Sequence, residues 1–282
     1  MASLHDTIAT LAPYRLTEGG EADAEAYRIE APELWAQGRT LFGGMTAALS
    51  HAAIRRAHGD LGPLRNAQFT FVGPTTGPLS FRPALLRRGR SSAIVGVDCW
   101  NEDGLAARAT FSFAGPRESA IAHDYSPRMD VPPPDACEPL HRTSKPLKGF
   151  LGQFEFRFAA GTRLFEGGAS AEEGGARSDG RPEFAVWVRF REDAGEDPIT
   201  ALLAMADALP CAAMSHFPKP APVSTLSWSV DVHQPLAQSG GWHLVWSSSE
   251  AAADGYSIQN MRVFNAEGVP LLSARQVVAI FI

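Results

Sequence analysis

Phe154, Phe156 and Phe158 alternate with Glu155 and Arg157, the period of two expected of a strand with one buried and one wet face. The same alternation, or short runs rich in β-branched and aromatic residues, predicts strands at 26–31, 66–72, 79–86, 93–100 and 105–113. It predicts them again at 150–159, 184–190, 224–232, 242–248, 255–264 and 269–282. Two stretches break the pattern. Phe42 to Arg56 and Pro198 to His216 place small and apolar residues at helical spacing, and each predicts a helix followed by four strands.

The recurrence has a register. The last two strands of the first half meet at Asn101-Glu-Asp-Gly104, those of the second at Asn265-Ala-Glu-Gly268, an offset of 265 − 101 = 164. Both read as hairpin turns whose glycine takes a positive φ. The strand after each helix ends at a proline, Pro74 and Pro235, an offset of 161. Two ordered matches with nearly equal offsets predict an internal repeat of one α+β unit. Between the copies, prolines at 116, 127, 132, 133, 134, 139 and 146 interrupt a stretch without periodicity. The expected organisation is therefore a unit over 1–115, a connector over 116–149 and a second unit over 150–282. Glu166 to Gly180 holds five glycines and no Gly-Lys-Ser/Thr ending, so it predicts a poorly ordered surface loop and not a phosphate-binding one.

At 282 residues, 45% hydrophobic and 20% charged, the chain has an ordinary globular composition. The apolar stretch 199–214 contains Asp207 and Pro210 and is too short and polar to predict a membrane span. The N-terminus shows no secretory pattern, which predicts a cytoplasmic protein. Cys99, Cys137 and Cys211 are odd in number and far apart, fitting neither a disulfide framework nor a metal knuckle. A net charge of −6 leaves no electrostatic footprint for nucleic acid.

Nucleophile-elbow, zinc-helix and dinucleotide-binding signatures are absent from the sequence. Asp231 and His233 share a strand face and offer a metal or acid/base pair, or a solvated or structurally bonded couple, since the other ligands expected of a metal site are missing from the sequence. Arg87, Arg88 and Arg90 form a basic turn, suited to phosphates or simply to solvent. Asp207 stands apart as the only ionisable side chain other than a thiol between Ile199 and Met214. Its carboxylate must find partners, because burying an unpaired charge is costly. Bonding to backbone at a break forced by Pro210 is one outcome, and a catalytic role is the other.

The ordered set Ala185-Val-Trp-Val-Arg189, Leu202-Leu203 to Asp207, Ser224-Thr225-Leu226, His233-x-Pro235 and Ser273-Ala-Arg-Gln276, preceded by Leu41-Phe42-Gly43-Gly44, resembles the type II acyl-CoA thioesterases. The resemblance covers most of the chain outside the connector. It implies an α+β double hotdog: two antiparallel sheets, each wrapped around a central helix and paired as an internal pseudo-dimer, which joins the sheets and removes an exposed edge. Carried over residue by residue, the family's catalytic Asp, Thr and Gln fall on Asp207, Thr225 and Gln276. Family members often have Asp-His after the Thr and Arg after the later His; here Leu226-Ser227-Trp228 and Gln234 stand there, which bears on substrate choice more than on the reaction.

The implied chemistry is hydrolysis of an acyl-CoA or related thioester in lipid metabolism, by water that Asp207 orients and deprotonates and that Thr225 and Gln276 position. Gly43-Gly44 is the candidate oxyanion donor. The resemblance calls for no cofactor and no metal, and allows a homo-oligomer of double-hotdog chains. Alternatives are a hotdog hydratase or dehydratase using Asp231 and His233, and a silent acyl-thioester binding protein. Strict alternation groups Thr225 with Ser227, Ser229 and Asp231, opposite Leu226, Trp228, Val230 and Val232, so the site is expected on the polar side or near a strand irregularity. Subtracting the offsets sets Thr225 against Leu64, Gln276 near Ser112 and Asp207 against Thr46. One active site per chain is expected, with the first half as scaffold and channel wall.

Overall fold

The computed structural model describes residues 3–15, 25–166, 180–195, 197–233 and 239–282. Most of the loop expected at 166–180 therefore lies outside the described residues, as do Gln234 and Pro235. The chain opens with α1 (Leu4–Ala9), whose first turn Ser3 and Asp6 close as a reciprocal capping box. Strands β1 (Ala12–Arg15) and β2 (Glu25–Glu30) and a small hairpin, β3 (Ala36–Gln37) and β4 (Thr40–Leu41), lead to α2 (Gly43–His58). Then come β5 (Leu64–Phe71), β6 (Pro78–Arg88), β7 (Ser92–Asn101) and β8 (Gly104–Ala114). The connector carries one two-residue strand, β9 (Glu138–Pro139). The second half contains β10 (Phe154–Gly161), β11 (Glu183–Phe190), α3 (Pro198–Ala206), β12 (Val223–Val232), β13 (His243–Ala253), β14 (Tyr256–Phe264) and β15 (Pro270–Ile280).

Two sheets joined by pairing were expected; the strands in fact form one continuous sheet, which corrects the count of two. One sheet of 13 strands runs β1-β2-β6-β7-β8-β5-β12-β15-β14-β13-β11-β10-β9, because β5 and β12 pair antiparallel through Ser227↔Thr70 to Asp231↔Asn66 and make a single ladder of the two halves. The order is a palindrome about that seam: β2-β6-β7-β8-β5 on one side mirrors β11-β13-β14-β15-β12 on the other. The expected hairpin turns are present at Gly104 (φ 125°) and Gly268 (φ 76°). In each, the Asn side chain, of Asn101 or Asn265, accepts the N–H two residues on. A β-bulge passes over Arg65 where β5 meets β8, and over Leu226 where β12 meets β15. Their spacing, 226 − 65 = 161, equals that of the two prolines.

The helices are unequal. In α2 every residue from Gly44 to Ile54 is buried, and its small side chains let it lie deep against the sheet. A single long helix was also expected at Pro198–His216, and that is corrected too. Asp197 caps the start of α3 by accepting the N–H groups of Ile199 and Thr200, but α3 ends at Ala206 and a 3₁₀ turn resumes at Ala212–His216. Pro210, lacking an N–H and clashing with the preceding turn, supplies the break. The apolar run Phe184–Val188 is buried on both faces of the sheet, as its missing alternation implies. One face meets the main core. The other lies under the connector, where Trp187 donates its indole N–H to Pro132 O at 2.8 Å and packs with Cys137.

Candidate active site

Ending α3 at Ala206 makes Asp207 its C-cap residue (φ −96°, ψ 7°), so the carboxylate leaves an apolar helix at the point where the backbone turns. It meets the N-terminus of α2, which has no side-chain cap. Met45 and Thr46 are the first residues of α2 to donate backward, both to Phe42 O, which leaves the Gly43 and Gly44 N–H groups outside the helical pattern. A Cβ on Gly43 would stand 2.7 Å from Asp207 Oδ2 and one on Gly44 would stand 2.5 Å from Ala204 O; glycine is what allows this approach. Burial pushes the Asp207 carboxyl up to about 7, against the opposing pull of the Gln276 side chain and the Gly44 N–H.

Gln276 is 3% exposed and donates from Nε2 to Asp207 Oδ1 at 2.6 Å. These two candidates are thus in contact. Thr225 makes no side-chain hydrogen bond to either among the described residues, but the Leu226 bulge reorients it. Thr225 pairs with Val278, and Trp228 with Gln276, and cross-strand partners share a face. The expectation that Thr225 lies with Ser227 on the polar side is therefore corrected. It lies half-buried on the inner face, one inward position along from Gln276.

A further residue, Gln259, escaped the sequence reading. It is fully buried, pairs with Gln276 across β14 and β15, and donates from Nε2 to Gln276 Oε1 at 2.6 Å. Its Oε1 accepts the Ala212 N–H at 2.8 Å and the Ser247 hydroxyl at 3.3 Å. Ser257 and Gln259 occupy inward positions of β14 beside Met261 and Val263, and polar residues in an inward register were the available signal.

The first half lacks the set. Bulge-to-bulge register matches Gln276 with Phe111, next to the expected Ser112, since Ala67 pairs with Phe111 as Trp228 pairs with Gln276. Thr46 directs its hydroxyl to Phe42 O. Yet the first half is more than scaffold, because Gly43 and Gly44 form one wall of the site. The other candidates lie elsewhere. Asp231 accepts from Asn66 Nδ2 at 2.8 Å and His233 bonds Ser273 at 2.8 Å, both on the solvent face, which removes the acid/base pair a hydratase would need. Arg87 and Arg88 close β6 as exposed residues, and the three cysteines are buried and unpaired. Among the described residues no helix is long and apolar enough to cross a membrane.

Comparison with solved structures returns the same architecture. A protein with a hot dog fold from Alicyclobacillus acidocaldarius superposes with TM-score 0.77 at 20% identity, over 99% of this chain and 98% of that one. The TesB protein of Mycobacterium avium subspecies paratuberculosis gives 0.74 at 19% over 99% and 100%. An acyl-CoA thioesterase II, TesB2, from Mycobacterium marinum gives 0.68 at 19% over 94% and 95%. These likenesses establish a hot dog fold. No curated protein is a significant match by sequence. Family models are more specific: the N-terminal domain of acyl-CoA thioesterases matches residues 31–114 and the C-terminal domain matches residues 134–280. Both domains, in family order, span most of the sequence, and the chain belongs to the acyl-CoA thioesterase family.

Proposed function

We propose that the chain hydrolyses acyl-CoA or a closely related thioester with water activated by Asp207. The observation that carries this reading is a buried carboxylate without a cationic partner among the described residues, lifted to about 7 and bonded to a side-chain amide, beside the uncapped N-terminus of a 16-residue helix. A base that titrates near neutral pH can both accept and return a proton. Water held by Asp207 attacks the thioester carbonyl carbon and gives its proton to the carboxylate. The C–S bond then breaks, and the leaving thiolate takes the proton back. Gln276 and Thr225, on the same sheet face, position the water, converting a diffusing reactant into an oriented one. With the Gly44 N–H committed to Asp207, the amide end of α2 offers the Gly43 N–H and its positive dipole end to the developing oxyanion. With the set in the second half only, each chain has one site.

An acyl-CoA panel of graded chain length, followed by release of free thiol, tests the reading. Turnover of at least one chain length that disappears in Asp207→Asn is the expected result. Saturable binding of acyl-CoA without thiol release would instead identify an acyl-thioester binding protein.

A further inference from the structure

We infer that Gln259 is a positioning residue for this site, which acts through Gln276 to dictate which end of the catalytic amide faces Asp207. The inference rests on the reading of Asp207 and Gln276 given above. A primary amide has a donor end and an acceptor end, and the two are interchangeable in shape but not in charge. With Nε2 toward Asp207, Gln276 favours the carboxylate; with Oε1 toward it, the same residue would favour the protonated acid, which is useless as a base. Nothing within Gln276 itself chooses between them.

The choice is made two residues away. The Ala212 backbone N–H can only donate, and it donates to Gln259 Oε1. Ser247 Oγ donates to the same oxygen. Gln259 is thereby left with Nε2 for Gln276 Oε1, and Gln276 with Nε2 for Asp207 Oδ1. The Ala212 peptide is itself fixed, since Ser215 Oγ donates to its carbonyl at 2.9 Å. Gln259 and Ser247 are 0% exposed and Gln276 3%, so water is not available to compensate a reversed amide. The relay also closes on itself in sequence. Ala212 lies five positions after Asp207, so the segment that carries the base also anchors the far end of the chain of amides that orients it.

Among the described residues no charged side chain competes with this control. The first turn of α2 has no acidic residue and runs Gly-Gly-Met-Thr. Near Asp207, β5 contributes Phe71, β14 and β15 contribute Gln259 and Gln276, and the segment after it holds Cys211, whose thiol burial pushes up. Burial raises the proton affinity of the base, and the orientation of the N–H donors and lone pairs around it tunes that affinity.

The test is titration of Asp207 by carboxyl ¹³C NMR in Asp-labelled protein, with its signal identified by loss in Asp207→Asn. This readout does not require turnover. Gln259→Met keeps the volume and removes the polarity, freeing Gln276 to turn. The Asp207 titration should then move up by about one unit, and the acid limb of kcat/KM should move with it. The value of kcat should fall about tenfold while KM changes by less than about twofold, as expected for loss of positioning and not of binding. A folded Gln259→Met protein with wild-type titration and pH profile would overturn the inference. Wild-type protein provides a second arm if that variant does not fold. Its Gln276 side-chain NH₂ signals, identified by their loss in Gln276→Met, should shift with the Asp207 titration; signals indifferent to it would overturn the inference equally. A wild-type chain that releases no thiol from any acyl-CoA would remove the proposed function and leave the NMR result to decide the relay.

Discussion

A buried carboxylate needs donors, and Asp207 has neutral ones: the Gln276 amide and the Gly44 N–H, which only partly offset its desolvation. Two consequences separate a base from a structural acid. Asp207→Asn keeps the shape and loses proton acceptance, so turnover of acyl-CoA should fall by about 10² to 10⁴; preserved specific activity in the folded variant would end the catalytic assignment. Stability gives the second. The folded-state value, about 7, is raised above the ordinary 3.8 of a free aspartate, so between those values the folded protein holds a proton that the unfolded chain has released. Wild-type stability should therefore decline as pH rises from about 4 to about 7, by about 2–4 kcal/mol relative to Asp207→Asn, and the difference should be flat above that window. Parallel urea titrations of both proteins at several pH values measure it. Asp207 was readable in sequence because a lone carboxyl in an apolar stretch asks for an explanation. Gln259 was not singled out, because a glutamine in a strand draws attention only once the strand's inward register is known.

The two helices come together closely enough that one methyl group decides their spacing. Gly44 in α2 faces the Ala204 carbonyl of α3, where a Cβ would stand 2.5 Å away, and a backbone carbonyl cannot swing aside as a side-chain tip can. Gly44→Ala gains helix propensity of about 1 kcal/mol, but the helices must part, which costs about 1–3 kcal/mol. Since Asp207 caps α3 one turn further on, kcat/KM should fall at least about tenfold. Gly115→Ala is the control: a Cβ there meets nothing within 4 Å, so Tm and kcat/KM should stay at wild-type values. An equal response of the two variants in thermal melts and thiol-release assays would refute the close-approach account. At this scale most elements followed from periodicity, because a period of two survives single irregularities. The exceptions are local. Pro210 ended α3 earlier than small-residue composition implied, and the Leu226 bulge turned Thr225 to the inner face, a reversal that alternation can require but not locate.

The repeat was visible in sequence as paired offsets and the resemblance implied that the two sheets join, but which strands form the seam was not legible, because backbone pairing between β5 and β12 leaves no mark on either strand's composition. The seam is two-sided. Phe69 and Trp228 stack on the inner face with ring centroids 5.2 Å apart, while Asn66 Nδ2 reaches Val230 O and Asp231 on the outer. Splitting the chain in the connector would expose β5 and β12 as long, unpaired edges, which invite aggregation, and would strip the site of Gly43 and Gly44. Residues 116–282, although they carry Asp207, Thr225 and Gln276, should thus be poorly soluble and lack thiol-release activity. Co-expression with residues 1–115 should restore a 1:1 complex by size-exclusion chromatography together with activity, because the seam and the α2–α3 contact are non-covalent. Full activity in a soluble, monomeric 116–282 fragment would mean that the first half supplies neither the sheet edge nor the amide end of the helix, and the site would have to be redrawn within the second half alone.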